Sequence, residues 1–361
     1  MAYTTIDNPE LYFQNKLYTG DGNSSKAITL DGDENMQPDW VWVKSRNTAD
    51  YDHQATDSVR GVQKTLKINT DGAEDSNPGA GGIGSFDTNG FTIAEGSINN
   101  TNMNNSGTTY VAWNWKAGTS FTNDASSTGI GTIDSTGSAS TTAGFSIVSF
   151  TGTGSNGTIK HGLSTALNAI VIRRRDSGND WRVGGTGLTS FVKHLNLNTS
   201  ASESDLAAAF NSTAPTSSVF SVGTSASTNA SSGTFIALCF HNVQGYSKFG
   251  KYTGNEDASD PTYIYTGFRP SFVMVKKLTG STDSWFLHDN LRDGFNTDNE
   301  YMRPNEASVE GSGVNRLNIF SNGFNVPTTD KSHNADGVPY IYWAFAESPF
   351  VNSSGVPTNA R

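Results

Sequence analysis

Charge, sulfur and long apolar stretches are all scarce in this chain of 361 residues. Only 16% of residues are charged, and 34 acidic against 24 basic side chains leave a net charge of −10. A chain of that sign repels phosphate backbones, so nucleic acid is not expected as a partner. The one basic run, Arg173-Arg174-Arg175, closes an apolar stretch ahead of Asp176 and reads as a solvated strand end. Cys239 is alone, which excludes an intrachain disulfide. It sits in Phe235-Ile-Ala-Leu-Cys-Phe240, where a small buried hydrophobe is expected. No segment approaches the roughly 20 apolar residues of a membrane helix, and MAYTTIDNPELYFQ has neither the basic nor the apolar region of a signal peptide. Membrane insertion is therefore not expected, and folding is expected in the cytoplasm. Helical periodicity is missing except at residues 202–210 (SESDLAAAF), where about two turns capped by Ser202 are expected.

In their place stand 43 Ser, 41 Thr and 35 Asn, with 38 Gly, 20 Phe, 12 Tyr and 7 Trp. Disordered chains are poor in aromatics and rich in charge. This one is the reverse. Small polar residues, aromatics and turn formers suit many short strands joined by tight turns.

The chain repeats itself three times. Leu17-Tyr-Thr-Gly-Asp-Gly22, Ser149-Phe-Thr-Gly-Thr-Gly154 and Lys251-Tyr-Thr-Gly-Asn-Glu256 open the units. Each is followed by an apolar run ending in a base: Trp40-Val-Trp-Val-Lys44, Ala169-Ile-Val-Ile-Arg173 and Phe272-Val-Met-Val-Lys276. An aromatic follows, at Tyr51, Trp181 and Trp285, and copies one and three share Asp57 to Arg60 and Asp289 to Arg292. Each unit closes on an aromatic strand beginning at Tyr110, Phe235 or Tyr340. Trp40 and Trp42 alternate with Val41 and Val43, so that strand is apolar on both faces and belongs in the middle of a covered sheet. Asn89-Gly90 and Asn322-Gly323 suit the two central positions of tight hairpins. The expected fold is all-β, three tandem jelly-roll-like (lectin-like) β-sandwich units at 1–117, 143–243 and 244–350. Residues 118–142 read as a Ser/Thr/Gly-rich linker or surface loop, and 351–361 as a disordered or partner-bound tail.

Catalytic constellations are missing: there is no nucleophile elbow, no zinc helix motif and no phosphate loop. The six histidines are scattered and read as surface or hydrogen-bonded polar residues. Asp31-Gly-Asp-Glu34 with Asp39 has oxygen ligands for Ca²⁺ but lacks the length of a calcium loop. Asp289 with Asp293 or Glu306 can be paired on paper for glycoside hydrolysis, but nothing in their setting singles them out. No catalytic residue, metal or cofactor is therefore expected. Exposed aromatics can stack on sugars, which makes Tyr51, Trp181 and Trp285 the candidate binding residues; aromatics recurring in a repeat more often belong to the core.

Tyr18-Thr-Gly-Asp-Gly22, Trp40-Val-Trp-Val-Lys44, Tyr110-Val-Ala-Trp-Asn-Trp115 and Gly144-Phe-Ser-Ile-Val-Ser-Phe-Thr-Gly-Thr-Gly154 resemble the repeat-bearing, tail-fibre-like structural proteins of marine and cyanobacterial phages. The resemblance implies a virion protein that is not an enzyme, made in the host cytoplasm. The expected partners are other virion proteins and copies of itself in a homo-oligomer. Two roles stay open: attachment to host surface glycan, with several weak sites raising avidity by roughly 10²–10⁴, and capsid or tail decoration. A polysaccharide depolymerase is a third reading.

Overall fold

The computed structural model describes residues 3–76, 81–95, 102–292, 296 and 300–358. The protein is all-β, 42% strand and 6% helix, and every ladder between its strands is antiparallel. The three units share one strand order. In unit one Phe13–Thr19, Thr109–Trp115, Trp40–Ser45 and Gln54–Asp57 lie side by side. Unit two repeats this with Phe145–Thr151, Thr234–Phe240, Ala169–Arg174 and Arg182–Gly185, and unit three with Ser247–Thr253, Pro339–Pro349, Phe268–Lys277 and Phe286–Asp289. A smaller outer sheet covers each: three strands in units one and three, two in unit two.

The units are not beads on a string. Trp40 and Trp42 point to one core and Val41 and Val43 to another, as their alternation requires. The Val core, with Ile28, Phe91 and Tyr110, lies inside unit one. The Trp core is common property. It joins Trp113 and Trp115 of unit one to Phe145, Val171 and Phe240 of unit two and to Phe272, Trp343 and Phe345 of unit three. Ladder registers make Trp115, Phe240 and Phe345 equivalent, and the Phe345 ring lies 5.5 Å from Trp115 and 6.0 Å from Phe240.

Contacts between units run in one direction and close a ring, giving an approximate threefold. Trp285 Nε1 donates to the Asn196 carbonyl of unit two at 2.9 Å, and Trp181 Nε1 to the Lys67 carbonyl of unit one at 3.0 Å. The third position is held by His53, whose Nε2 is 3.1 Å from the Arg303 carbonyl of unit three. Val43, Ile172 and Val275 pair with Gln54, Arg182 and Phe286, so the residue matching Trp181 and Trp285 is His53 and not Tyr51.

The basic strand ends belong to the same ring. Arg173 is fully buried, which corrects its reading as a solvated end. It donates to the Gly72 carbonyl of unit one, Lys276 to that of Ser200 in unit two, and Lys44 to that of Ala307 in unit three. Burial lowers the pKa of Lys44 and Lys276 to about 8 and of Arg173 to about 10. Beside these cations run two ionic seams. Arg60, Glu74 and Arg175 join units one and two; Arg292, Glu310 and Arg46 join units three and one. At the third seam Leu188 and Leu278 stand where those arginines do, and Glu203 N–H still donates to Leu278 as Glu74 N–H does to Arg175.

The recurring Thr-Gly phrase has a steric cause. A Cβ on Gly20, Gly152 or Gly254 would stand 2.2, 2.3 or 2.4 Å from the carbonyl of Asn105, Ala230 or Ala335. The residue before each of those, Asn104, Asn229 or Asn334, is fully buried, and its side-chain oxygen accepts from the backbone N–H just after the glycine. The aromatics flanking each phrase stack on the closing strand: Tyr18 on Tyr110, Phe150 on Phe235 and Tyr252 on Tyr340, all at 5.0–5.2 Å.

Four other expectations fail. Residues 118–142 are not a linker: Thr119–Asn123 and Ser135–Ser140 form a hairpin that extends the sheet of unit two. Both strands are built mainly of Ser, Thr, Gly and Asn with almost no apolar alternation, so composition hid them. The 202–210 helix shrinks to one turn, Ala207–Phe210, capped by no side chain, because Ser204–Asp205 pairs with Lys193–Asn196 instead. The outer hairpins turn at Thr88-Asn89 and Ser321-Asn322, with neither Asn at positive φ. Gly90 and Gly323 are needed for close approach, since a Cβ there would lie 2.0 Å from the Ile28 carbonyl oxygen or 2.2 Å from that of Ile264. The tail folds back, pairing Val351 with Pro357 and tying Ser353 to Asp7.

Candidate functional site

Trp181 and Trp285 are fully buried, so neither offers a face to a sugar. Tyr51 is half-buried against the inner core of unit one. The acidic cluster is dispersed: Asp31 pairs with Lys16, Asp33 N–H bonds Glu10, and Asp39 caps the N–H groups of Ala117 and Gly118. Among the described residues no group of three or more His, Cys, Asp or Glu is placed to hold a metal. Asp289 is locked in an ion pair with Arg292 and accepts the Trp113 indole N–H, while Glu306 bonds Ser284 and Arg303. Asp293 lies outside the described residues.

The six histidines are buried, not superficial. His288 and His333 meet at 3.1 Å between their Nε2 atoms, a contact in which one ring donates and the other must present an unprotonated nitrogen. Burial, reinforced by Arg316, pushes His333 down to about 3; burial, His333 and two arginines push His288 well down. An unfolded histidine takes its proton near pH 6.5, so below that pH the unfolded chain binds more protons. For His333, stability is then complete above pH 6.5 and falls between pH 6.5 and about 3, by about 1.4 kcal/mol per pH unit; His288 adds a loss of the same sign. Melting temperature should fall less steeply over pH 6.5–4 in His333→Gln than in the parent; equal slopes would refute the assignment.

Two of the polar depressions among the described residues are lined mainly by strand residues. One of about 200 Å³ between units one and three is lined by Glu10, Asp31, Asn15, Asn290 and Glu347. Its groups already bond one another, Asn15 to Ser271 and Asn290 to Glu347. The other, a groove of about 360 Å³, crosses the added hairpin of unit two over Thr122, Thr136, Ser149 and Arg175. Its charged groups are already engaged: Arg175 pairs with Glu74, and Asp124 and Asp134 accept the backbone N–H groups of Ser127 and Ala125.

The exposed aromatics are elsewhere. On the outer sheet of unit three Tyr263 and Tyr265 are 47% and 48% exposed, on the same side of Tyr263–Tyr265. Ile264 between them points into the core. Tyr263 crosses toward the neighbouring strand, its hydroxyl bonding Asn322 and lying 2.9 Å from where a Gly323 Cβ would be. Its ring packs 5.9 Å from Phe320. Tyr265 is pinned by a 2.9 Å hydroxyl contact with Tyr3, and Lys248 Nζ sits 5.4 Å from its centroid. Asn325 and Asn318 continue the Tyr263 row across the sheet.

Registers supply an internal comparison. The pairs Ile28–Phe91, Ile159–Phe220 and Ile264–Phe324 are equivalent. Where unit three has Tyr263 and Tyr265, unit one has Ala27 and Thr29 and unit two Thr158 and Lys160. Phe320 matches Asp87, which binds Ser85 and Thr92 on that face of unit one. The fold thus accepts small polar residues at these positions. This surface exists once per chain, so the units do not multiply it. Aligning the three units on Ile28, Ile159 and Ile264 would have exposed the odd pair of tyrosines in the sequence.

Residues 8–349 match, as one stretch across all three units, a family described as a domain of unknown function (DUF7483). No curated protein matches the sequence.

Proposed function

The chain belongs to the DUF7483 family, whose description brings no activity with it, and we propose that it is a non-enzymatic structural subunit of a bacteriophage particle, of the tail-fibre or adhesin type, serving host-surface attachment. The observation that carries this reading is the shared aromatic core. It makes three sandwiches one rigid body whose outer sheets and loops face outward. Buried Lys44, Arg173 and Lys276 and the Glu74–Arg175 and Glu310–Arg46 pairs join units, which suits a scaffold better than a catalyst. The assignment to a phage particle rests on the resemblance of the repeated phrases. Purified protein should adsorb to host cells and compete with phage for them. The internal threefold favours a second reading, decoration of a threefold position on capsid or tail. No adsorption, with particles lacking the protein still infectious but falling apart on heating, would decide for decoration.

A further inference from the structure

We propose that the outer face of the small sheet of unit three, centred on Tyr263 and Tyr265, is a glycan-binding site that stacks pyranose rings on the tyrosine faces. The proposal rests on the attachment reading and names its contact surface. Three observations carry it.

The first is the break in internal symmetry. Ala27, Thr29, Thr158 and Lys160 show that the fold does not need aromatics here, yet unit three holds two, each about half exposed. Leaving aromatic surface in water forfeits burial energy, of about 25 cal/mol per Å², so the tyrosines are not there to stabilise the scaffold.

The second is preorganisation. The Tyr263 hydroxyl is held by Asn322 and the Tyr265 hydroxyl by Tyr3, whose own hydroxyl donates to the Gly267 carbonyl at 3.0 Å. The tips are tied down, and about half of each ring stays open, Tyr263 resting on Phe320 and Tyr265 beside Lys248. Residues two apart on a strand stand roughly 6.6 Å apart, a spacing that offers separate rings to one extended chain. The C–H groups of a pyranose carry partial positive charge and meet the negative face of an aromatic ring. Asn318 and Asn325 continue the Tyr263 row with their Oδ1 atoms buried, and Asn322 Oδ1 holds the Tyr263 hydroxyl, so what these amides can offer a sugar hydroxyl is an NH2 group. Lys248 is the cation beside Tyr265.

The third is size. Two half-exposed tyrosines offer about 200 Å² of aromatic surface, far below the roughly 800 Å² per partner of a stable protein interface. That is enough for one or two sugar rings.

The test uses the full chain and the double substitution Tyr263→Ala/Tyr265→Thr, which installs the residues unit one already folds with. Probes are an array of purified bacterial surface polysaccharides, intact host cells, and host cells treated with periodate or protease. The parent should bind at least one polysaccharide, and the variant should bind it at least tenfold more weakly with an unchanged melting temperature. Tyr263→Phe/Tyr265→Phe, which keeps the rings, should retain binding. A silent array, or equal binding by parent and alanine–threonine variant, overturns the site whatever the cells show. Adsorption to cells abolished by protease but not by periodate also overturns it, in favour of a protein receptor. Parent protein that binds the array through these tyrosines yet ignores host cells sustains the site and overturns the attachment reading.

Discussion

Trp42→Ala should lower the unfolding free energy by about 3–5 kcal/mol and lower it for all three units together. Trp42 is 1% exposed, packs edge-on against Trp113 at 5.2 Å and donates its indole N–H to His53 at 3.0 Å. The residues around it come from every unit, so the cavity left behind weakens contacts to all of them. Calorimetry of the parent should give one transition, and the variant one transition at lower temperature. A variant in which unit one melts early while two-thirds of the enthalpy stays in place would show that the shared core does not couple the units. A shift of only a degree or two would mean the indole is not packed as described.

Arg292→Leu should cost about as much, roughly 3–5 kcal/mol, because it strands buried carboxylates. Arg292 is fully buried, pairs with Asp289 at 2.6 Å and Glu310 at 3.0 Å, and donates to the Leu287 carbonyl. Removing it leaves Asp289 with the Trp113 indole and backbone N–H groups alone, and Glu310 with Arg46. The protein contains its own control. At the matching positions unit two has Gly185 and Leu188. Asp289→Gly added to Arg292→Leu removes the stranded charge and should recover part of the loss, short of full recovery because Trp113 then lacks its acceptor. Chemical denaturation of the three proteins checks the order. A double variant less stable than Arg292→Leu alone would refute the stranded-charge account.

The repeat, the all-β class, the two-faced Trp40–Ser45 strand and the closing aromatic strands were legible in the sequence because strand alternation and turn chemistry are local. The buried asparagines went unread: each stands six residues before its closing aromatic, at Asn104, Asn229 and Asn334, but only the structure shows what they bond. Arg173 was not legible either. A base ending an apolar run looks solvated until a neighbouring unit covers it and supplies the Gly72 carbonyl. The same holds for Trp181 and Trp285, whose burial depends on backbone carbonyls more than eighty residues away. The polar strands Thr119–Asn123 and Ser135–Ser140 carry no apolar alternation and so leave no pattern to read. The sequence by itself determined the repeat, the all-β class and the strands that alternate apolar residues. Which faces were buried, and which two tyrosines were left exposed, was decided by packing three sheets around one core, because burial belongs to neighbours that local pattern does not name.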